Sequence, residues 1–139
     1  LRLHSLTTKD AYRVRAMSAF GTFNTELTQA PAALSEMFIA LDYWLDKAKE
    51  IIIVVPKERR QAEPLLAELR QTFVPNRMVS VVIAGKDQAA VEKRIPLVEF
   101  KVAKDGRATA YVCEKRVCEQ PTNDPAVFAE QIRKTHPLK

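Results

Sequence analysis

Apolar residues recur every three to four positions through the first third of the chain. Between Thr8 and about Leu27, the apolar side chains at positions 12, 16, 20, 23 and 27 fall on one side of a helix. A second run with the same spacing leads from Pro31, which suits a first helical turn, to Asp46. The pattern predicts two amphipathic helices joined by a short connection, which together form an antiparallel helical hairpin.

After position 48 the pattern changes to continuous runs of β-branched and other apolar residues. Residues 51–55 and 78–83 are typical of strands buried on both faces, and residues 62–73 between them have a helical period. These three elements form a predicted β-α-β unit with parallel strands. A third strand is predicted over residues 108–113, and a last helix begins at Asp124-Pro125.

These elements predict an α/β fold in two parts. Residues 1–48 are expected to form the helical hairpin, and residues 49–139 a small α/β domain with a mostly parallel sheet of three or four strands and flanking helices. Six of the ten aromatic residues lie in the hairpin, which gives it more apolar surface than two helices can bury. We therefore expect the hairpin to pack against the second part or against further polypeptide.

Composition and charge narrow the class of protein. The 139 residues are 47% hydrophobic and 28% charged, as in ordinary folded domains, and the least charged stretch, residues 27–41, is too polar to span a membrane. The net charge of +5 arises in residues 49–139, where basic and acidic side chains alternate. This mixture, without a nucleic-acid-binding motif, favours a solvated surface. We predict no nucleic-acid or membrane partner, and a cytoplasmic location.

Both cysteines of the chain, Cys113 and Cys118, lie at the end of the third predicted strand. If the chain reverses between them, their Cα atoms would lie about 4.5 to 5.5 Å apart, which permits a disulfide. The residues between them include no Asn or Gly for a tight type I′ turn, and a cytosolic setting keeps thiols reduced, so reduced structural thiols are favoured. A disulfide and a functional redox pair are the alternatives.

Other candidate chemistry is sparse. Ligands of parallel α/β sheets gather beyond the carboxyl ends of strands, where Lys57, Arg60 and Lys86 could hold an anion. The three glycines form neither a G-x-G-x-x-G nor a Walker motif, which argues against a nucleotide site. His4 and His136 lie near the chain ends and do not complete a zinc ligand set with the cysteines. We predict no catalytic residue, no metal and no cofactor.

Three segments of the chain carry a resemblance to a known family. They are Ala108-Thr109-Ala110-Tyr111-Val112-Cys113 with Cys118, Pro121 and Asp124-Pro125; the helix from Pro31-Ala32-Ala33-Leu34 to Ala40-Leu41-Asp42-Tyr43-Trp44-Leu45; and the strand Lys49-Glu50-Ile51-Ile52-Ile53-Val54. Over about residues 10–133 the chain resembles the C-terminal region of the spermatogenesis-associated, thioredoxin-domain-containing proteins. It departs from their pattern at residues 98–104, where Phe100-Lys101-Val102 replaces a more Gly-rich connection.

The resemblance implies that the chain is the tail of a longer protein with a thioredoxin-like domain and an α/α barrel, and that the helical hairpin is the end of that barrel. A start at Leu1 rather than Met agrees with a fragment. The implied function is that of a non-catalytic accessory or structural domain. A thiol-redox role for the cysteine pair and an anion-binding module are alternatives. The expected partners are the missing N-terminal domains, or a second copy bound through the hairpin.

Overall fold

The structure, a computed structural model, describes residues 1–134, with the backbone alone at residues 86 and 87. Its helices and strands in chain order are α1 (Arg2–Thr7), α2 (Asp10–Thr22), α3 (Asn24–Gln29), α4 (Ser35–Leu45), β1 (Lys49–Val55), α5 (Glu63–Gln71), β2 (Arg77–Ile83), α6 (Lys86–Glu92), β3 (Thr109–Glu114), β4 (Val117–Cys118) and α7 (Pro125–Arg133). Short 3-10 helices cover Pro31–Leu34, Arg59–Ala62, Pro96–Val98 and Lys104–Gly106.

The four strands form one sheet in the order β2-β1-β3-β4. β1 pairs in parallel with β2 and antiparallel with β3, and β3 pairs antiparallel with β4. The α/β class and the β-α-β unit through α5 are confirmed. The prediction of a mostly parallel sheet is wrong, because two of these three pairings are antiparallel.

The direction of β3 follows from where its connection begins and ends. In the parallel pair Val55 lies opposite Ile83, so the C-terminal ends of β1 and β2 lie side by side. Thr109, the first residue of β3, lies opposite Val54, so β3 begins beside the C-terminal end of β1. The segment between β2 and β3, whose longest helix is the seven-residue α6, does not cross back over the sheet as a parallel connection requires.

The core is built on both faces of β1, where five successive residues have no exposed surface. Ile51, Ile53 and Val55 pack with apolar residues of α5 and α7 on one face. Ile52 and Val54 point to the other face, as strand geometry requires, and pack under the helical turn that follows α6. Each such side chain contributes about 1.5 to 3 kcal/mol on burial, so this strand is a major source of stability.

The N-terminal helices are more broken than the sequence pattern predicts. Thr8 adopts a left-handed conformation, with φ 60°, which separates α1 from α2. The predicted first helix is itself divided at Phe23, whose φ and ψ of −101° and 19° interrupt it between α2 and α3. All residues of α1 to α4 are described, and only Tyr43 among them is buried. These helices therefore have no core of their own.

Two contacts of α4 fix it to the rest of the chain. The Tyr43 hydroxyl donates a hydrogen bond of 3.1 Å to the Oγ of Ser5 in α1. The side-chain amide of Asn76 donates to the carboxylates of Asp42 and Asp46, at 2.6 and 2.9 Å. The proposed boundary between residues 1–48 and residues 49–139 stays a prediction.

Two phenylalanines provide a direct test of where the core lies. Phe128 in α7 has no exposed surface, whereas Phe73 is 91% exposed. Phe128→Ala should lower the free energy of unfolding by about 3 to 5 kcal/mol, because it leaves a cavity under the sheet. Phe73→Ala should change it by less than about 0.5 kcal/mol. Urea unfolding followed by circular dichroism measures both, and equal losses would contradict this core.

Candidate functional site

A row of three side chains crosses one face of the sheet near the start of β1. Glu50 lies opposite Cys113 in β3, and Cys113 lies opposite Cys118 in β4. Directly opposed residues point to the same face of a sheet, so the three side chains are neighbours. The two cysteines are joined by a disulfide, and their Cα atoms are 3.9 Å apart. The bonded alternative from the sequence is therefore the state that the structure shows, with Glu50 beside it.

The disulfide lies next to a two-residue turn between β3 and β4. Lys115 and Arg116 form this turn with positive φ values of 47° and 67°. Such a type I′ turn favours Asn and Gly. The sequence has neither residue here and therefore did not predict a tight turn. The turn forms nevertheless, at a backbone cost of roughly 1 to 2 kcal/mol per residue. The disulfide and a hydrogen bond of 3.1 Å from the Arg116 backbone N–H to the Glu50 carboxylate both hold it.

Burial governs the electrostatics of Glu50. It raises the pKa of the Glu50 carboxyl above its ordinary value, and the backbone N–H and charge of Arg116, together with the charge of Lys101, oppose this only in part. Burial also lowers the pKa of the Lys101 ammonium, against the attraction of Glu50. Burial thus makes ionisation of Glu50 less favourable than that of an exposed glutamate.

Two cavities meet at Cys118, the exposed member of the pair. One, of about 210 Å³, also includes Glu99, Lys101 and Arg116. The other, of about 500 Å³, lies on the side of the strand that carries Val117. Cys113 is only 1% exposed, so a molecule in either cavity would reach the disulfide through the sulfur of Cys118.

The residues considered for anion binding are only partly brought together. Lys57 and Arg60 follow β1 at the predicted edge of the sheet, and Arg60 forms an ion pair with Glu58. Arg60 also lines a cavity of about 480 Å³ with Arg107, a residue that the sequence did not single out. The side chain of Lys86 lies outside the described part of the structure. Anion binding at this edge stays a prediction.

The described residues provide neither a metal-ligand cluster nor a membrane-spanning helix. None of their His, Cys, Asp and Glu side chains forms a group of three or more that could hold a metal ion. Within the same residues, no helix has both the length and the apolar character needed to cross a membrane. His4 lies 3.4 Å from the carbonyl oxygen of Lys9, and His136 is outside the described residues.

Glu50, Lys101 and Arg116 were not identified from the sequence. Glu50 stands just before a run of β-branched residues and looks like an ordinary polar residue at the start of a strand. The signal that could have found it is the pairing of β1 with β3, because that register alone sets Glu50 opposite a cysteine. Arg116 required the turn conformation, which its residue type does not favour.

Comparison with known proteins identifies relatives of this chain. It is similar to spermatogenesis-associated protein 20 of Homo sapiens, with 26% identity over 125 residues that cover 90% of this chain and 16% of that protein. The protein of the same name from Rattus norvegicus matches with the same identity and coverage. An uncharacterized protein of Caenorhabditis elegans is 25% identical over 121 residues, which are 87% of this chain and 16% of the relative.

These relatives agree with the resemblance that the C-terminal motif carries. The chain spans 16% of the length of each of these curated relatives. No protein-family model matches the chain. No solved structure matches it significantly.

The raised pKa of Glu50 gives stability a defined pH dependence. A carboxyl whose pKa is higher in the folded than in the unfolded chain binds its proton more tightly when folded, so stability falls as pH rises from about 4.5 through the folded pKa. Glu50→Gln keeps a hydrogen-bond acceptor for the Arg116 N–H but cannot ionise. Relative to wild type, the variant should therefore gain stability across this pH range. Urea unfolding of both proteins at several pH values measures the difference, and a difference independent of pH would contradict the assignment.

Proposed function

We propose that the chain is a non-catalytic accessory or structural domain of a larger protein, held to the rest of that protein by its N-terminal helices. The observation that carries the proposal is the contrast between the two parts of the chain. β1 is covered on both faces, whereas α1 to α4 bury one residue, Tyr43. A folded helical segment without a core is expected to pack against a partner.

The surface that would be covered is apolar and runs along the helices. Six large apolar side chains of these helices and that of Phe23, between α2 and α3, are between 38% and 60% exposed. We refer to the seven as the helical docking surface: Leu3, Val14, Phe23, Phe38, Ile39, Trp44 and Leu45. By contrast, α5 buries Leu65 and Leu69 against the sheet, and α7 buries Phe128 and Ile132. Large aromatic and aliphatic residues that are exposed in such numbers are typical of an interface, and two of them, Leu3 and Ile39, line one cavity between α1 and α4.

The occupant that we propose is the remaining polypeptide of the same longer protein. The relatives are several times longer than this chain, which corresponds to 16% of their length. A helical region elsewhere in such a protein could complete the packing of α1 to α4, as the α/α-barrel interpretation of residues 1–48 requires. A second copy of the chain is the alternative occupant. The cytoplasmic location expected from the sequence is part of the same proposal.

Charged substitutions on the helical docking surface test this proposal. The chain and the remaining polypeptide of its parent protein are produced separately and titrated by calorimetry, and a one-to-one complex is expected. Ile39→Glu or Leu45→Glu should weaken it by about 30-fold or more, since each would place a charge in a desolvated interface. Val127→Glu, at the 41% exposed Val127 of α7, is the control and should have no effect.

Two outcomes would contradict the proposal. One is a complex whose affinity the two docking-surface variants and the control reduce equally. The other is a stable dimer of the chain, detected by light scattering and lost in Leu45→Glu, that does not bind the remaining polypeptide. That second result would assign the surface to self-association instead.

A further inference from the structure

The two cysteines of the disulfide differ in exposure. Cys113 is 1% exposed and belongs to the apolar cluster on one face of the sheet. Cys118 is exposed on β4, which is the edge strand of the sheet. Because the cysteines are five positions apart, the bond closes a very small loop and stabilises the fold less than a bond across a long loop would. Cys118 is thus the exposed end of the bond and Cys113 the buried end, and the small loop gives the bond a modest structural role.

Two exposed apolar residues adjoin Cys118 and the residues of its cavity in sequence. Val117, its neighbour in β4, is 78% exposed, and Phe100 is 91% exposed. Phe100 stands between Glu99 and Lys101, which both line the 210 Å³ cavity that reaches Cys118. An exposed edge strand suits an extended polypeptide, which can pair with the strand and place its own apolar side chains against an exposed residue such as Phe100.

The backbone holds Phe100 in an unusual conformation. Its φ is 60°, in the left-handed region that a bulky aromatic residue seldom adopts. Val102, two residues after Phe100, is held by Tyr111. The Tyr111 hydroxyl donates to the carbonyl oxygen of Val102 at 2.8 Å and accepts from the Val102 N–H at 3.0 Å, which fixes this loop. A strained residue whose ring remains in solvent gains no packing in return. Such residues are most common at binding surfaces.

We propose that Cys113–Cys118 is a thiol–disulfide exchange site for a cysteine in a polypeptide, with Cys118 as the sulfur that the incoming thiolate attacks. A new disulfide forms between the polypeptide sulfur and Cys118, and the Cys113–Cys118 bond breaks. The electron pair of that bond moves to the sulfur of Cys113. One disulfide replaces another, so the step needs no further oxidant or reductant.

Glu50 is placed to supply the proton that this step requires. Cys113 would leave as a thiolate in a buried position, where desolvation disfavours the charge. Glu50 is its direct neighbour across the strands, and the hydrogen bond from the Arg116 N–H holds its carboxyl near the turn. Transfer of the Glu50 proton to Cys113 gives a neutral buried thiol. Arg116 and Lys101 are the charged groups that act on this carboxyl.

The test uses the oxidised chain and a synthetic peptide with one cysteine between leucines. The reaction is stopped with acid, and the mixed disulfide is located by mass spectrometry. The peptide should be found on Cys118 under native conditions. Attachment to Cys113, or attachment to Cys118 only in urea, would overturn the proposal, because the bond would then act solely as a buried structural link.

Matched phenylalanine variants test the choice of a polypeptide over a small thiol. Phe100→Ala should slow the reaction with the peptide by about tenfold, as expected for loss of an aromatic anchor, and leave the reaction with glutathione unchanged. Phe73→Ala is the control, because Phe73 is also 91% exposed but lines a different cavity. Equal peptide rates in the two variants would overturn the assignment of a polypeptide substrate.

A third variant tests the role of Glu50. Glu50→Gln should slow attack at Cys118, and the ratio of wild-type to variant rates should change with pH as Glu50 titrates. If Glu50 had only a structural role, the ratio of wild-type to variant rates would be constant with pH. That result would overturn the proton transfer. The reaction does not involve the helical docking surface, so its outcome is independent of whether that surface binds the parent polypeptide.

Discussion

The burial of β1 on both faces is the constraint on which the rest of the structure depends. Because residues 51–55 have no exposed surface, the strand needs a hydrogen-bonded neighbour on each edge and a covering layer on each face. β2 and β3 provide the edges, and α5 with α7 cover one face. The polar residues at the start of β1, Lys49 and Glu50, are also buried. Lys49 forms an ion pair with the Glu114 carboxylate, and Glu50 accepts a hydrogen bond from the Arg116 N–H.

The site beside the disulfide is a consequence of this pairing. β3 must lie against β1 for its entire length, and the register then sets Glu50 opposite Cys113. The chain reverses directly after β3, which brings Cys118 to the edge strand of the sheet, where the residue is exposed. One cysteine is thus fixed in the core and the other faces solvent. The N-terminal helices, in contrast, contribute one buried residue and present their apolar side chains outward. The first feature suits chemistry at a sulfur and the second suits attachment to more polypeptide.

The sequence predicted those features of the fold and the site that depend on neighbouring residues in the chain, and missed those that depend on contacts between distant segments. Residues 51–55 predict a buried strand because a continuous β-branched run is typical of strands covered on both faces. Asp124 and Pro125 mark the start of α7, where the Asp124 side chain accepts a hydrogen bond from the Ala126 N–H. The direction of β3 was not predicted, since a continuous apolar run is compatible with either direction. The Lys115-Arg116 turn contradicts local preference and forms because tertiary contacts hold it. The neighbours of the cysteines could not be found, because Glu50 is far from them in sequence.

Hydrogen exchange of backbone amides, resolved by residue, tests most directly whether β1 carries the stability of the chain while α1 to α4 depend on a partner. In the isolated chain, the amides of β1 should exchange only through global unfolding, with the protection expected from the unfolding free energy. Amides in α2, where no residue is buried, should exchange through local opening and show far lower protection. Equal protection of α2 and β1 would contradict this account, because it would show that the helices and the sheet form a single cooperative unit.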